Sequence, residues 1–294
     1  MRLLRMTVVV IAVMIVTGSL AGCGQGGELT GSAAGSAPKR VTVITADISA
    51  STLGQRDRYV DDVMAAIVGT AELDGAVYVS TVDGLATNDV WQLPDRRFTS
   101  SIGGGNPTLA RAARSHQAER LRPEVRRLLH GRGRGGSDLL AMLTNVRRLL
   151  CTLPDAERRV VIVSDGGVLA GGVNLYRQPP RTEFARRHLI GRLRRSGEIP
   201  PDLDCRVGSP VRVWLSGLGI GIARRDIAMA VRRFYVEVIE STGAVVAAEG
   251  PQLLERSFGD DSLREAGVLE EARASVDGHV RPRRRPQRYR KSVL

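Results

Sequence analysis

The 294-residue chain contains 43% apolar residues and carries a formal charge of +12 at pH 7. This length suits one large domain or two small ones, and the apolar content is ample for a globular core, which excludes a wholly disordered chain. A positive charge of this size is often found in proteins that bind nucleic acid, because basic side chains neutralise phosphates.

The first 22 residues are typical of an export signal, and they argue against a nucleic-acid partner. A basic start precedes an apolar run from Thr7 to Val16 that is too short to span a bilayer comfortably. The run ends in Leu20-Ala21-Gly22-Cys23, which resembles the bacterial lipobox. The resemblance implies that residues 1–22 are removed, and that lipid on Cys23 holds the protein at the extracytoplasmic side of the cell membrane. An uncleaved signal anchor or an ordinary secretory peptide is the alternative.

Composition divides the remaining chain into three parts. Residues 23–39 are mostly Gly, Ser and Ala, which predicts a flexible tether behind the lipidated cysteine. Residues 40–249 alternate short apolar runs with amphipathic stretches, which predicts one folded domain. In residues 250–294 we expect a helix at Leu263–Ala274 and a basic tail at Arg281–Lys291. The tail would attract anionic lipid or an envelope polyanion, or be solvated without a partner.

The apolar pattern of residues 40–249 predicts strands and helices in alternation. Predicted strands are Val41–Thr45, Ala76–Val82, a short edge strand at Asp89–Leu93 ended by Pro94, Val160–Val163, Val211–Leu218 and Ala244–Ala248. Predicted helices are Gln55–Thr70, Thr108–Leu129 with a break near Pro123, Asp138–Leu150, Thr182–Arg195 and Asp226–Glu240. This order predicts an α/β fold with a doubly wound, mostly parallel central sheet flanked by helices. Ligands of such sheets bind beyond the carboxyl ends of the strands.

Three oxygen-bearing side chains directly follow the first predicted strand. The segment is Asp47-Ile48-Ser49-Ala50-Ser51. Because side chains alternate along an extended chain, Asp47, Ser49 and Ser51 can point to the same side. We therefore expect these three residues to converge.

Two further segments place oxygen atoms at equivalent positions. The apolar strand Val160–Val163 runs into Ser164-Asp165-Gly166, and Gly135-Gly136-Ser137-Asp138 places a hydroxyl just before a helix. Taken in order, the three segments resemble the metal-ion-dependent adhesion site of von Willebrand factor A (vWA) domains. That pattern is Asp-x-Ser-x-Ser, a later Thr, and a later Asp after an apolar strand.

The resemblance covers about Val41 to Ala248 and implies a vWA domain, which is Rossmann-like. It implies that Asp47, Ser49, Ser51, Ser137 and Asp165 hold a divalent metal. These hard oxygen ligands suit Mg²⁺ best, with Mn²⁺ or Ca²⁺ as alternatives. In the family, an acidic side chain of a protein partner completes the coordination. One departure is Ser137, which stands where the family usually has Thr and leaves direct ligation at that position open.

Two other functions remain open from the sequence. The Asp47-x-Ser49 segment resembles the nucleophile loop of haloacid dehalogenase-like phosphatases, which would make Asp47 the nucleophile of a phosphate-ester hydrolase. Those enzymes usually carry a second acid where Ser49 stands, so we expect a binding protein and no enzyme. A scaffold in an envelope assembly, with no metal in its site, is the third possibility.

The cysteines that remain after Cys23 are Cys151 and Cys205. Outside the cytoplasm, two remaining cysteines favour one disulfide. Two buried free thiols are the alternative. In the implied fold, a bridge between them would lie at the edge of the sheet opposite the metal.

Overall fold

The computed structural model describes residues 38–82, 93–98, 105–133, 135–153, 155–167, 169–170, 173–205 and 210–253. The predicted export signal, Cys23, the tether as far as residue 37, the Leu263–Ala274 helix and the basic tail lie outside these residues. Across the described ranges, none of the helices has the length and apolarity needed to cross a membrane.

The described elements alternate as the apolar pattern predicts. The strands are β1 (Arg40–Asp47), β2 (Ala76–Val82), β3 (Leu93–Arg97), β4 (Glu157–Val163), β5 (Leu169–Ala170), β6 (Val173–Asn174), β7 (Arg212–Ser216) and β8 (Val245–Gly250). The helices are α1 (Arg56–Glu72), α2 (Pro107–Glu119), α3 (Arg122–Leu129), α4 (Leu139–Thr152), α5 (Glu183–Arg195) and α6 (Arg225–Ser241). A short 3₁₀ helix, Ala50–Gln55, precedes α1.

Six of these strands form one sheet in the order β3-β2-β1-β4-β7-β8. Only β3 runs antiparallel to its neighbour within this sheet. Strands β5 and β6 form a separate two-stranded hairpin. The predicted α/β fold, with its doubly wound and mostly parallel sheet, is therefore confirmed.

Helices cover both faces of the sheet, and side chains along β1 alternate between the two cores that this creates. Val41 and Val43 pack into the core that α4, α5 and α6 complete, while Ile44 and Ala46 pack into the core formed with α1, α2 and α3. A strand buried on both faces carries apolar side chains at successive positions, as β4 does. Because β1, β4 and β7 are parallel, their carboxyl ends lie at one edge of the sheet.

The predicted edge strand Asp89–Leu93 lies outside the described residues except at Leu93, and β3 differs from the prediction at Pro94. Proline was expected to end a strand there, but Pro94 is the second residue of β3. The pairing of β3 with β2 is irregular between Val77 and Val79, and neither Pro94 nor Asp95 has a paired residue in that register. An edge strand with a bulge tolerates proline, because the position donates no ladder hydrogen bond.

Residues just outside both predicted domain boundaries contact the folded part of the chain. Pro38 is buried, and the backbone of Lys39 accepts a hydrogen bond from Glu157 N. At the other end, Leu253 is buried and its N donates to the carboxylate of Asp62 in α1. The described residues on either side of the predicted domain, 40–249, therefore contact it.

A disulfide joins Cys151 and Cys205, which confirms the predicted pairing. Cys151 lies in the last turn of α4, and Cys205 lies in the segment that precedes β7. The bridge is therefore near the edge where the parallel strands begin. Asp47 ends β1 and Asp165 follows β4, so these two predicted metal ligands lie at the opposite edge, where the strands end.

Candidate metal centre

The end of β1 folds into a tight turn that collects the first predicted residues. The backbone N of Ser49 donates to Asp47 Oδ1 at 2.8 Å, and the Ser49 and Ser51 hydroxyl oxygens are 3.1 Å apart. Thr52 fixes the turn because its hydroxyl donates to the carbonyl oxygens of Asp47 and Ser49. Asp47 and Ser49 are buried, whereas Ser51 is exposed, so the cluster reaches the surface at Ser51.

Asp47 is the centre of the cluster. Its Oδ2 accepts hydrogen bonds from the hydroxyls of Ser137 and Ser164, each at 2.7 Å. Burial raises the pKa of the Asp47 carboxyl above its ordinary value, although hydrogen bonds from Ser49, Ser137 and Ser164 favour its charged form. A cation bound nearby would stabilise that charged form further.

Ser137 is held beside Asp47 by the loop that leads into α4. Asp138 caps this helix by accepting from Leu140 N and Ala141 N. On the other side of Ser137, the backbone of Ala50 donates to Gly135 O at 3.4 Å, which ties the loop to the turn after β1. The predicted serine is therefore in place, and the missing methyl of threonine is not needed to bring its hydroxyl to Asp47.

Two residues outside the predicted set fasten the same loop. The buried guanidinium of Arg56 donates to Ile48 O at 2.6 Å and to Gly131 O at 2.7 Å. At Gly133 the two loops approach so closely that a Cβ would lie 2.0 Å from the Ile48 carbonyl oxygen. Glycine at this position lets the loop carrying Ser137 come within reach of the turn after β1.

Asp165 follows β4 and is almost fully buried. Its Oδ1 accepts from Gly167 N at 2.9 Å, and its Oδ2 accepts from the Tyr176 hydroxyl at 2.8 Å. The Tyr176 hydroxyl also has a hydrogen bond with the Ser51 side chain. Asp165 is therefore linked through Tyr176 and Ser51 to Ser49.

The five predicted residues thus belong to one connected network. Burial raises the pKa of the Tyr176 hydroxyl well above its ordinary value, and the nearby negative charge of Asp165 acts in the same direction although the Ser51 hydrogen bond opposes it. Tyr176 therefore stays a neutral hydrogen-bond donor at neutral pH.

Sequence reasoning missed two residues of this network. Ser164 comes directly after β4 and next to Asp165, so its position at the carboxyl end of a strand was a usable signal. Tyr176 has no such signal, because a short hairpin separates it from Asp165 along the chain. Only the folded chain brings its hydroxyl to Asp165.

The donor set fits a hard divalent cation. Side-chain oxygens from two carboxylates and three hydroxyls converge, and Mg²⁺, Mn²⁺ and Ca²⁺ prefer such ligands. In the described part of the chain, no group of three or more His, Cys, Asp or Glu side chains could hold a metal, so a nitrogen- or sulfur-rich zinc-type site is absent there.

The sheet order and the meeting of the three segments agree with the fold that the resemblance to vWA domains implies. No family model matches the chain, and no curated protein matches it. Solved structures do match, at low sequence identity. The chain is similar to the pilus adhesin SpaC of Lactobacillus rhamnosus GG in its open conformation, with 12% identity and a TM-score of 0.38 over 83% of this chain. The match spans 30% of the adhesin chain.

Two further solved structures are similar to this chain. The first is the conserved hypothetical protein BatB of Bacteroides thetaiotaomicron, with 12% identity and a TM-score of 0.37 over 80% of this chain and 98% of that chain. The second is the manganese-loaded TRAP protein of Plasmodium vivax, with 13% identity and a TM-score of 0.29 over 68% of this chain and 62% of that chain.

Proposed function

We propose that this protein is a membrane-displayed vWA-like binding module that captures a protein partner through a divalent metal. The supporting observation is the single hydrogen-bond network that joins Asp47, Ser49, Ser51, Ser137 and Asp165 at the carboxyl edge of the sheet. Mg²⁺ is the proposed cofactor, with Mn²⁺ or Ca²⁺ as substitutes.

The proposed role of each residue follows from whether its side chain is buried or exposed. Buried Asp47 orients the hydroxyl of Ser137 and the backbone of Ser49, and exposed Ser51 faces the side from which a partner approaches. Two carboxylates leave a bound divalent ion electropositive, and such an ion would offer a coordination position to an acidic side chain of the partner. The chemical class of the partner is therefore a protein that presents an exposed Asp or Glu.

Membrane display is part of the same proposal and depends on the N-terminal sequence. Lipid on Cys23 would anchor the protein to the outer face of the cell membrane, and residues 24–37 would separate the domain from it. The basic tail at Arg281–Lys291 would add contact with anionic lipid or an envelope polyanion. A nucleic-acid partner is not proposed.

The alternative in which Asp47 attacks a phosphate ester gains no support from this geometry. Asp47 has no exposed surface, and both of its carboxylate oxygens already accept hydrogen bonds. A nucleophile needs an oxygen that the substrate can reach. The metal-free scaffold is distinguished from the proposal by direct measurement of metal binding.

The test is a calorimetric titration of purified full-length protein with Mg²⁺, followed by capture from an envelope extract with and without chelator. Asp47→Ala and Ser49→Ala should weaken Mg²⁺ binding by at least about 10- to 100-fold and abolish chelator-sensitive capture. Ser196→Ala, at the far end of α5, is the matched control and should behave as the wild type. Wild-type protein that binds no divalent metal, or unchanged capture by Asp47→Ala, would refute the proposal.

A further inference from the structure

The Tyr176 hydroxyl contacts two of the predicted metal ligands, Asp165 and Ser51. It donates to Asp165 Oδ2 at 2.8 Å and has a hydrogen bond with the Ser51 side chain. Ser51 is the exposed member of the predicted set, so the phenol sits where the network reaches the surface. A tyrosine in this place is not part of the motif that the sequence resembles.

The chain holds Tyr176 there by local structure. Asn174 Oδ1 accepts hydrogen bonds from the backbone N atoms of Tyr176 and Arg177, which fixes the turn after the β5–β6 hairpin. The preceding Leu175 is fully buried and anchors the turn to the core. The ring then lies directly against Gly167, where a Cβ would be 1.6 Å from Tyr176 Cζ. The phenol is therefore placed by packing and hydrogen bonds on several sides.

The direction of the hydrogen bond has a consequence for a cation. The Tyr176 hydroxyl points its hydrogen at Asp165 Oδ2, and a hydrogen atom directed at a carboxylate oxygen occupies a lone pair that a metal would use. Ser51 donates to the same phenol oxygen and keeps lone pairs of its own, so the competition with a cation is at Asp165.

We propose that Tyr176 is a gate on the metal centre, whose hydroxyl competes with a divalent cation for Asp165. This inference rests on the proposed function, because it assumes that these residues are metal ligands. It assigns Tyr176 the role of setting the metal affinity of the site. The hydrogen bond to Asp165 that is lost on metal binding lowers the affinity of the wild-type protein.

The test compares Mg²⁺ affinity in two tyrosine variants of the full-length protein by calorimetry. Tyr176→Phe keeps the ring on Gly167 and removes the competing hydroxyl, so it should bind Mg²⁺ about three- to tenfold more tightly than the wild type. Tyr78→Phe is the matched control, because the Tyr78 hydroxyl also has a hydrogen bond with a carboxylate, that of Asp95. Its affinity should stay within about twofold of the wild type.

The sign of the change separates the gate from other roles. A residue that merely supports the site, or a phenol that itself ligates the metal, would make Tyr176→Phe bind more weakly, and equal or weaker binding would overturn the inference. Tyr176→Leu also removes the hydroxyl, with a smaller side chain, and should change affinity in the same direction as Tyr176→Phe. If wild type, variants and control all fail to bind Mg²⁺, the proposed function fails and the gate with it.

Discussion

Removal of the disulfide should destabilise the domain by an amount that follows from the length of the loop that the bridge closes. The bridge closes a segment of 54 positions between Cys151 and Cys205, and the Cα atoms of the two residues are 5.5 Å apart. In the chain-entropy model, a loop of that length restricts the unfolded chain enough to stabilise the fold by about 4 kcal/mol. For a domain of this size, that corresponds to a melting temperature lower by about 8–16 °C.

The assay is urea unfolding of the purified full-length protein at neutral pH, for wild type and for Cys151→Ser/Cys205→Ser. Wild-type protein treated with reductant should unfold at the same urea concentration as the double variant, because both lack the cross-link. Mg²⁺ affinity should remain as in the wild type, since the bridge lies near the edge of the sheet opposite the candidate metal centre. A loss of less than about 1 kcal/mol would refute the loop-entropy reasoning.

Two further predictions concern the buried carboxyl of Asp62 in α1 and the close approach of Gly133 to the turn after β1. Burial raises the pKa of Asp62 above its ordinary value, although hydrogen bonds from Ser216 and Leu253 N favour the charged form. The stability that protonated Asp62 contributes is fully present when the pH is below the pKa of Asp62 in the unfolded chain. It is lost as the pH rises through the pKa of Asp62 in the folded protein. Urea unfolding from pH 4 to 8 should therefore show Asp62→Asn gaining stability relative to wild type as pH rises, and a constant difference would contradict this. Gly133→Ala should lower the free energy of unfolding by about 1–3 kcal/mol, because the added Cβ meets backbone. Gly136→Ala, with open space around it, is the control, and equal losses in the two variants would show that the contact at Gly133 does not matter.

Most of the fold could be predicted because its elements have strong local patterns. The predicted strand Ala76–Val82 has the bounds of β2, and α1 begins one residue after its predicted start and ends two residues after its predicted end. Both segments bury apolar side chains against the core, so the spacing of their apolar residues indicates the type of element. The prediction failed at Pro94, where pairing with β2, and not local preference, determines the strand.

The candidate site could be predicted only in part, for a different reason. The five predicted residues lie in short segments that follow strands or precede a helix, and each segment carries its own recognisable spacing. Ser164 and Tyr176 have no distinctive spacing, and their roles come from contacts with Asp47 and Asp165 across the fold. The Ser164 contact spans 117 positions of the chain.

Sequence alone determined the fold class of this protein, because periodic burial is a local property that each segment carries by itself. Tertiary structure alone decided how the ligands are held. Asp47 accepts hydrogen bonds from two serines brought in from other loops, and Tyr176 reaches both Asp165 and Ser51. Hydrogen bonds require atoms within about 3 Å of each other, and only packing of the sheet between its two helical layers brings such distant residues that close.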